Sequence, residues 1–299
     1  MLNSRRYPSK IILFGEYTVL LGAAALAMPL PAFGGVWQQN ITKKKDALAT
    51  DLDNFMQFLI HNNELFLMDT AAIEKQMSVG LHFDSDIPLG YGLGSSGALS
   101  AAAYDIFCTE KTENVTVLKN IFSQMESHFH GASSGIDPLV SYLQQPIMLQ
   151  NNRAQSVPVA FDFLAANTGF FLINTNKRRY SEPLVKWFKA QCEDSYFIEK
   201  CRAELCHFNE AAIAALLEKN APDLWKQMTQ ISSFQYENLK PLIPADFLDS
   251  WKQGLESDYF KIKICGAGGG GFLLGYTRDY DQLPFSLAEH LIKVNFDLS

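Results

Sequence analysis

Two glycine-rich segments and a few charged residues carry the chemistry open to this chain. Gly92-Leu93-Gly94-Ser95-Ser96-Gly97 runs directly into an alanine-rich stretch, Ala98 to Phe107. A glycine loop feeding a helix offers unpaired backbone N–H groups and the positive end of the helix dipole, a setting that suits phosphate. Ser95 and Ser96 add hydroxyls, one of which could ligate Mg²⁺. Serine is also a common N-cap, so a plain capped helix accounts for the same residues. Gly266-Ala267-Gly268-Gly269-Gly270-Gly271 places five glycines in six positions between apolar strands. Glycine loses more conformational freedom on folding than any other residue, and a hairpin needs one or two of them. The surplus predicts close approach by a ligand or by another backbone segment.

The charged candidates lie in two further stretches. Pro8-Ser9-Lys10 and Gly15-Glu16-Tyr17 bracket a short apolar run, and Glu126 to Asp137 contains His130-Gly131-Ala132-Ser133-Ser134-Gly135-Ile136-Asp137. Phosphoryl transfer needs a phosphate cradle, a hard cation with an oxygen ligand or two, and a group that orients the attacking hydroxyl. Lys10, Ser96, Glu126 and Asp137 could supply these parts. Each also has a blander reading: a solvated lysine, an exposed helical glutamate, a turn aspartate, a structural histidine.

The elements that must position these residues can be read from periodicity and punctuation. Ile11 to Phe14 reads as a strand, and Val19 to Trp37, uncharged but broken by Pro29 and Pro31, as buried strands and turns rather than a membrane span. Helical patterns run from Asp46 to Met77, from Ala98 to Phe107 and from Val115 to His128, with a short strand at Leu81 to Phe83. A polar stretch, Asn151 to Ser156, precedes an apolar strand at Gly169 to Ile173. The shift predicts a domain boundary, dividing the chain into residues 1–160 and 161–299. Beyond it come helices around Tyr196–Leu217, Ala221–Phe234 and Phe247–Leu255, then strands Lys261–Cys265 and Phe272–Tyr276 around the second glycine run.

Composition narrows the function classes. The chain has 299 residues, 47% hydrophobic and 12% aromatic, which is globular rather than disordered. Lysine and arginine total 25 against 32 acidic residues, a formal net charge of −7 that argues against an electrostatic nucleic-acid binder. Five cysteines without a repeating spacing do not suggest a disulfide framework, and Cys201, Cys206 and His207 lack the second close-set ligand pair of a zinc site. With no signal-peptide pattern, the expected setting is the cytoplasm. The 92–97 segment also fits G-x-G-x-x-G, but Asp84 to Pro88 cannot be the central parallel strand of a dinucleotide fold, and no acidic strand tip follows about 20 residues on. NAD(P) binding is therefore a minor alternative.

Taken in order, Pro8-Ser9-Lys10 with Gly15-Glu16, then Pro88 through Gly92-Leu93-Gly94-Ser95-Ser96, then Gly266 to Gly271 resemble the three motifs of the GHMP kinases, across nearly the whole chain. Within that family the His130 to Asp137 segment is most similar to mevalonate kinases. Ser9, Ser133 and Tyr17 stand where those enzymes commonly carry glycine, proline and histidine. The Gly-Glu-Tyr and Gly-Ser-Ser-Gly-Ala strings are closer to phosphomevalonate kinases. The resemblance implies a two-domain α/β (α+β) fold, its N-terminal domain like ribosomal protein S5 domain 2 and its C-terminal domain ferredoxin-like. It implies a kinase that uses ATP and Mg²⁺ to phosphorylate a small alcohol, most readily mevalonate, with phosphomevalonate or a sugar as alternatives and a non-catalytic ligand binder as a further one. By the same resemblance Asp137 and Lys10 are catalytic and Glu16 assists them. Gly92, Leu93, Gly94, Ser95, Ser96, Gly97, Gly268 and Gly269 hold the nucleotide, and Ser96 and Glu126 hold the metal. A homodimer is compatible with it. Arg178 and Arg179 could clamp the acceptor's carboxylate, or simply be solvated.

Overall fold

The computed structural model describes residues 5–39 and 47–296. Asp46, the start of the first helical pattern, lies outside them. Two antiparallel sheets organise the chain. The first contains β1 (Tyr7–Phe14), β2 (Ala25–Gln39), β3 (Leu81–Ser85), β4 (Ile147–Gln150) and β5 (Arg153–Ser156). The long β2 pairs with β1 on one edge and shares its other edge between β3 and β4, and β5 completes the sheet beyond β4. Pro29 and Pro31 therefore sit inside a strand, where a bulge against β1 accommodates the irregularity.

Between β2 and β4 come α1 (Ala47–His61), the short α2 (Asn63–Phe66), α3 (Thr70–Ser78), α4 (Ser95–Phe107), α5 (Val115–His130) and α6 (Ile136–Leu143). Helices α4 and α6 pack on β1 and β2 and on each other. Alanines 98 and 101–103 of α4 are fully buried, and their small side chains let the helix lie close to the sheet. Trp37 Nε1 on β2 donates to Ala102 O at 3.0 Å, and Ser141 Oγ on α6 donates to Pro8 O at 2.7 Å. The second bond pins α6 to β1 two residues before Lys10.

The second sheet runs β7 (Phe260–Ile264), β8 (Phe272–Thr277), β6 (Gly169–Asn174), β9 (Leu291–Lys293). Between β6 and β7 come α7 (Ser181–Gln191), α8 (Ser195–Lys200), α9 (His207–Leu217), α10 (Ala221–Asn238) and α11 (Leu248–Glu256); α10 and α11 pack on β7, while α9 packs on α10 and on β1 and β2. A wide turn at Cys201–Cys206 joins α8 to α9, with Cys201 and Cys206 as buried thiols. All five cysteines are free. No helix among the described residues is long and apolar enough to cross a membrane.

The structure changes two local expectations. Asn151 to Ser156, the polar stretch at the expected boundary, belongs to the first sheet. It is the turn and second strand of the β4–β5 hairpin, with Asn151 and Asn152 at φ 50° and 60°, the left-handed geometry a tight hairpin turn needs. The first sheet ends at Ser156 and the second begins at Gly169. The helix expected from Ala98 starts at Ser95, so Ser95, Ser96 and Gly97 are its first turn rather than loop. Every pairing among the described strands is antiparallel, which removes the parallel βαβ unit that dinucleotide binding would require.

Candidate active site

Lys10 projects from the middle of β1, its side chain 6% exposed, and its Nζ lies 3.0 Å from Asp137 Oδ1. Asp137 occupies the first turn of α6, at the positive end of the helix dipole. Its own side chain is 29% exposed, so one member of the pair is open to solvent. Gly135 caps α6 at φ 73°, and a Cβ there would collide with Lys119 O.

The first glycine loop is stitched across this pair. Lys10 N donates to Leu93 O at 2.9 Å, and the Leu93 side chain is buried as an anchor. A Cβ on Gly94 would lie 3.0 Å from Lys10 Cγ and 3.3 Å from Asp137 Oδ2, and one on Gly97 2.8 Å from Asp137 Cβ. The glycines thus let the loop and the first turn of α4 pass directly over Lys10 and Asp137. Gly94 caps α4 without a side-chain acceptor, so the N–H groups of that turn point out of the helix unclaimed by a cap.

One turn further on, Ser96 Oγ donates to Glu126 Oε1 at 3.1 Å and lies 3.0 Å from His130 Nε2. Ser133 Oγ donates to Glu126 Oε2 and accepts the Gly135 N–H at 3.0 Å. Glu126 is 3% exposed. Burial pushes its pKa up to about 7, and the nearby Asp137 charge adds to the rise, while the two hydroxyls and Lys10 oppose it. His130 supports Ser96 rather than facing Asp137. The two serine departures are both absorbed: Ser133 holds Glu126, and the buried Ser9 donates to Leu30 O at 3.0 Å.

Glu16 is not held by Lys10 or Asp137. It forms a buried ion pair with Lys263 of β7, with side chains only 2% and 1% exposed. Burial pushes the Glu16 pKa up, and Lys263 with the Gly266 N–H opposes it. Lys263 was passed over in the sequence. Its one signal is that it and Lys261 alternate with apolar residues in the strand just before the second glycine run. Tyr17 OH donates to Ala267 O at 2.6 Å.

The second loop meets the protein's own chain at nearly every glycine. Gly269 N donates to Leu242 O at 2.7 Å and Gly271 N to Lys177 O at 2.7 Å. A Cβ on Gly268 would strike Leu242 O, and one on Gly269 would lie 2.6 Å from a Leu184 methyl. Of the two close approaches the sequence left open, backbone and side chains of the same molecule are the ones present. Arg179 spans both loops. Its backbone N donates to Gly90 O at 3.0 Å and its Nη1 to Cys265 O at 3.0 Å, and its guanidinium fills the space a side chain at Gly92 or Gly266 would need. Arg178 is exposed.

The chain is similar to known proteins in sequence and in fold. Residues 64–145 match the family model described as GHMP kinases N terminal domain. A mevalonate kinase of Thermococcus sibiricus is 31% identical over 178 residues, 51% of this chain and 53% of that protein, so the match spans about half of the relative's length. A mevalonate kinase of Archaeoglobus fulgidus is 25% identical over 282 residues, 91% of each. Among solved structures, L. major mevalonate kinase in complex with R-mevalonate superposes with a TM-score of 0.66 over 98% of this chain and 95% of that one, at 15% identity, and so shares the fold.

Proposed function

We propose that this chain, similar to the GHMP kinases in sequence over residues 64–145 and in fold throughout, transfers the γ-phosphoryl group of Mg-ATP to an alcohol. The acceptor we infer is mevalonate, which places the enzyme in isoprenoid precursor synthesis. Residues 1–160 and 161–299 are its two domains. The observation that carries this reading is the Lys10–Asp137 pair, 3.0 Å apart directly beneath the Gly94 turn.

The chemistry follows from that geometry. The ATP phosphates lie along the 92–97 backbone and the first turn of α4, where N–H groups and the helix dipole meet negative charge. Asp137 accepts, or orients, the proton of the acceptor hydroxyl as its oxygen bonds to the γ-phosphorus and the bond to the β–γ bridging oxygen breaks. Lys10 pairs with Asp137 and offsets charge developing on the alkoxide and the phosphoryl oxygens. Gly268 and Gly269 close the nucleotide side from the second domain.

The residues present fit a hard cation. Ser96 Oγ and Glu126 Oε1 are 3.1 Å apart, close to the ~2.9 Å between neighbouring corners of an octahedron with 2.0–2.1 Å bonds. No group of three or more His, Cys, Asp or Glu among the described residues forms a metal site of its own. That suits Mg²⁺, which takes one or two protein oxygens and completes its shell with phosphates and water. When bound, the ion supplies charge neutralisation at the phosphates.

The acceptor reading rests on the cations. Lys10 is paired with Asp137 and Lys263 with Glu16, whereas Arg179 is bound to a neutral carbonyl and keeps its charge. Among the described residues Arg179 is a guanidinium between the loops without a carboxylate partner, and that charge suits an acceptor that carries a carboxylate. A coupled ADP-release assay over mevalonate, phosphomevalonate, galactose and homoserine tests it. Turnover with mevalonate at least tenfold above the others is expected. Preference for phosphomevalonate would move the acceptor, and failure with all four would remove the kinase reading.

A further inference from the structure

The turn after β1 grips the loop after β7 residue for residue. Glu16 pairs with Lys263, which also donates to Ile264 O at 2.9 Å, and the Gly266 backbone N–H favours the Glu16 charge. Its neighbour Tyr17 donates its hydroxyl to Ala267 O at 2.6 Å. Tyr17 is 4% exposed, its ring centroid 4.6 Å from that of Phe188, so packing fixes the direction of the hydroxyl. It also sits at φ 64°, ψ −38°, a conformation that non-glycine residues rarely adopt and that persists only where surroundings enforce it. The preceding Gly15, at φ 120°, has no room for a side chain against Ala25. Two consecutive residues of one domain thus hold two consecutive residues of the other, in a turn shaped for that contact. The Arg179 guanidinium lies against both Gly266 and Gly92, so the gripped loop borders the segment whose Gly94 covers the Lys10–Asp137 pair.

We propose that Tyr17 is a positioning residue, and that Glu16-Tyr17 with Lys263 forms a latch that sets the 266–271 loop against the reacting centre. Tyr17 touches no reacting atom in this role. It acts through the Ala267 carbonyl, and it narrows the conformations the loop samples before an acceptor binds. The kinetic consequence rests on the phosphotransfer reading, whereas the structural consequence stands without it.

Tyr17→Phe removes only the hydroxyl and keeps the ring on Phe188. In the substrate-free protein, hydrogen exchange of the amides at 266–271 is expected to quicken by about 2- to 10-fold, the range one lost hydrogen bond allows. Exchange in β1 and β7 is expected to stay unchanged. On the enzyme, the acceptor KM is expected to rise by a similar factor with kcat within about twofold. Unchanged loop exchange overturns the latch, as does an increase spread equally over β1 and β7, which would make Tyr17 a general packing residue. Faster loop exchange without turnover of any acceptor keeps the latch and discards the kinase reading. Lys263→Met, which strips Glu16 of its counter-charge, is expected to raise exchange over the same amides, and the opposite result counts against the latch independently.

Discussion

The two glycine loops use the same residue for different ends. At 92–97 the glycines are sparser, and two of the three lie over the Lys10–Asp137 pair, with Gly94 against both residues and Gly97 against Asp137 and the Pro138 backbone, while Gly92 lies against the Arg179 guanidinium. At 266–271 they are dense and lie against the protein itself, beneath the carbonyls of Leu242, Lys177 and Tyr91 and the guanidinium of Arg179. A high density of glycine therefore marks a crowded junction between two sheets. The sparser loop, which opens a helix, is the one left with backbone N–H groups to offer a ligand.

This contrast can be broken most directly at Asp137. Asp137→Asn is expected to lower turnover by about 10²–10⁴-fold, the usual worth of a proton-transferring group, while ATP binding stays within a few-fold. ADP release and a nucleotide titration measure the two, and near-wild-type turnover would remove Asp137 from its role. A matched pair of glycine variants comes next. Gly97→Ala pushes a methyl against Asp137 C, Asp137 Cβ and Pro138 N, each 2.8 Å away, and is expected to cost about 10²-fold in turnover together with about 1–3 kcal/mol of stability, because the contact is backbone that cannot give way. Gly268→Ala forces a Cβ at φ 74° into Leu242 O and is expected to cost about 1–3 kcal/mol of stability in a thermal melt. Equal losses of activity in both variants would erase the distinction between the loops.

The smallest effect concerns Glu126. Its pKa is pushed from 4.5 up to about 7 by burial and by the charge of Asp137. A carboxyl whose folded-state value is the higher one destabilises the fold only where it must ionise. The penalty is absent below about pH 4.5, grows as the pH rises toward 7, and is complete above it. The shift alone corresponds to about 3 kcal/mol, and one hydroxyl left without an acceptor sets roughly half of that aside. Glu126→Gln is therefore expected to stabilise the metal-free protein by about 1–2 kcal/mol at pH 8 and not at pH 4, while flattening the Mg²⁺ dependence of the rate. Equal denaturant midpoints for the two proteins at both pH values would refute the electrostatic account.

Much of the site could be read before any fold was known. Lys10, Ser96, Glu126 and Asp137 stand out because each belongs to a short local pattern: a strand entry, a glycine loop, a helix end, a small-residue turn. The structure brings all four together. What could not be read were partnerships between distant segments. Glu16 and Lys263 are 247 positions apart, and nothing local to either names the other. Arg179 looks like one of two adjacent solvated arginines until the loops are seen closing on it. Ser133, a departure from the resembled motif, is explained only by the Glu126 oxygen it meets. The start of α4 was placed three residues late because Ser-Ser-Gly reads as loop, and only the chain entering over Lys10 draws it into the helix.

The sequence by itself determined which segments are strands, helices and glycine turns, and which residue types are available for phosphoryl transfer. Those properties follow from hydrophobic period, from proline and glycine dihedral limits, and from side-chain chemistry, all local to a few residues. The tertiary structure alone decided which charges neutralise one another and which of the protein's own groups each glycine lies against. Pairing and desolvation depend on which segments the two sheets bring within a few ångströms, and burial, which moves Glu16 and Glu126 far from their solution behaviour, is a property of the assembled fold.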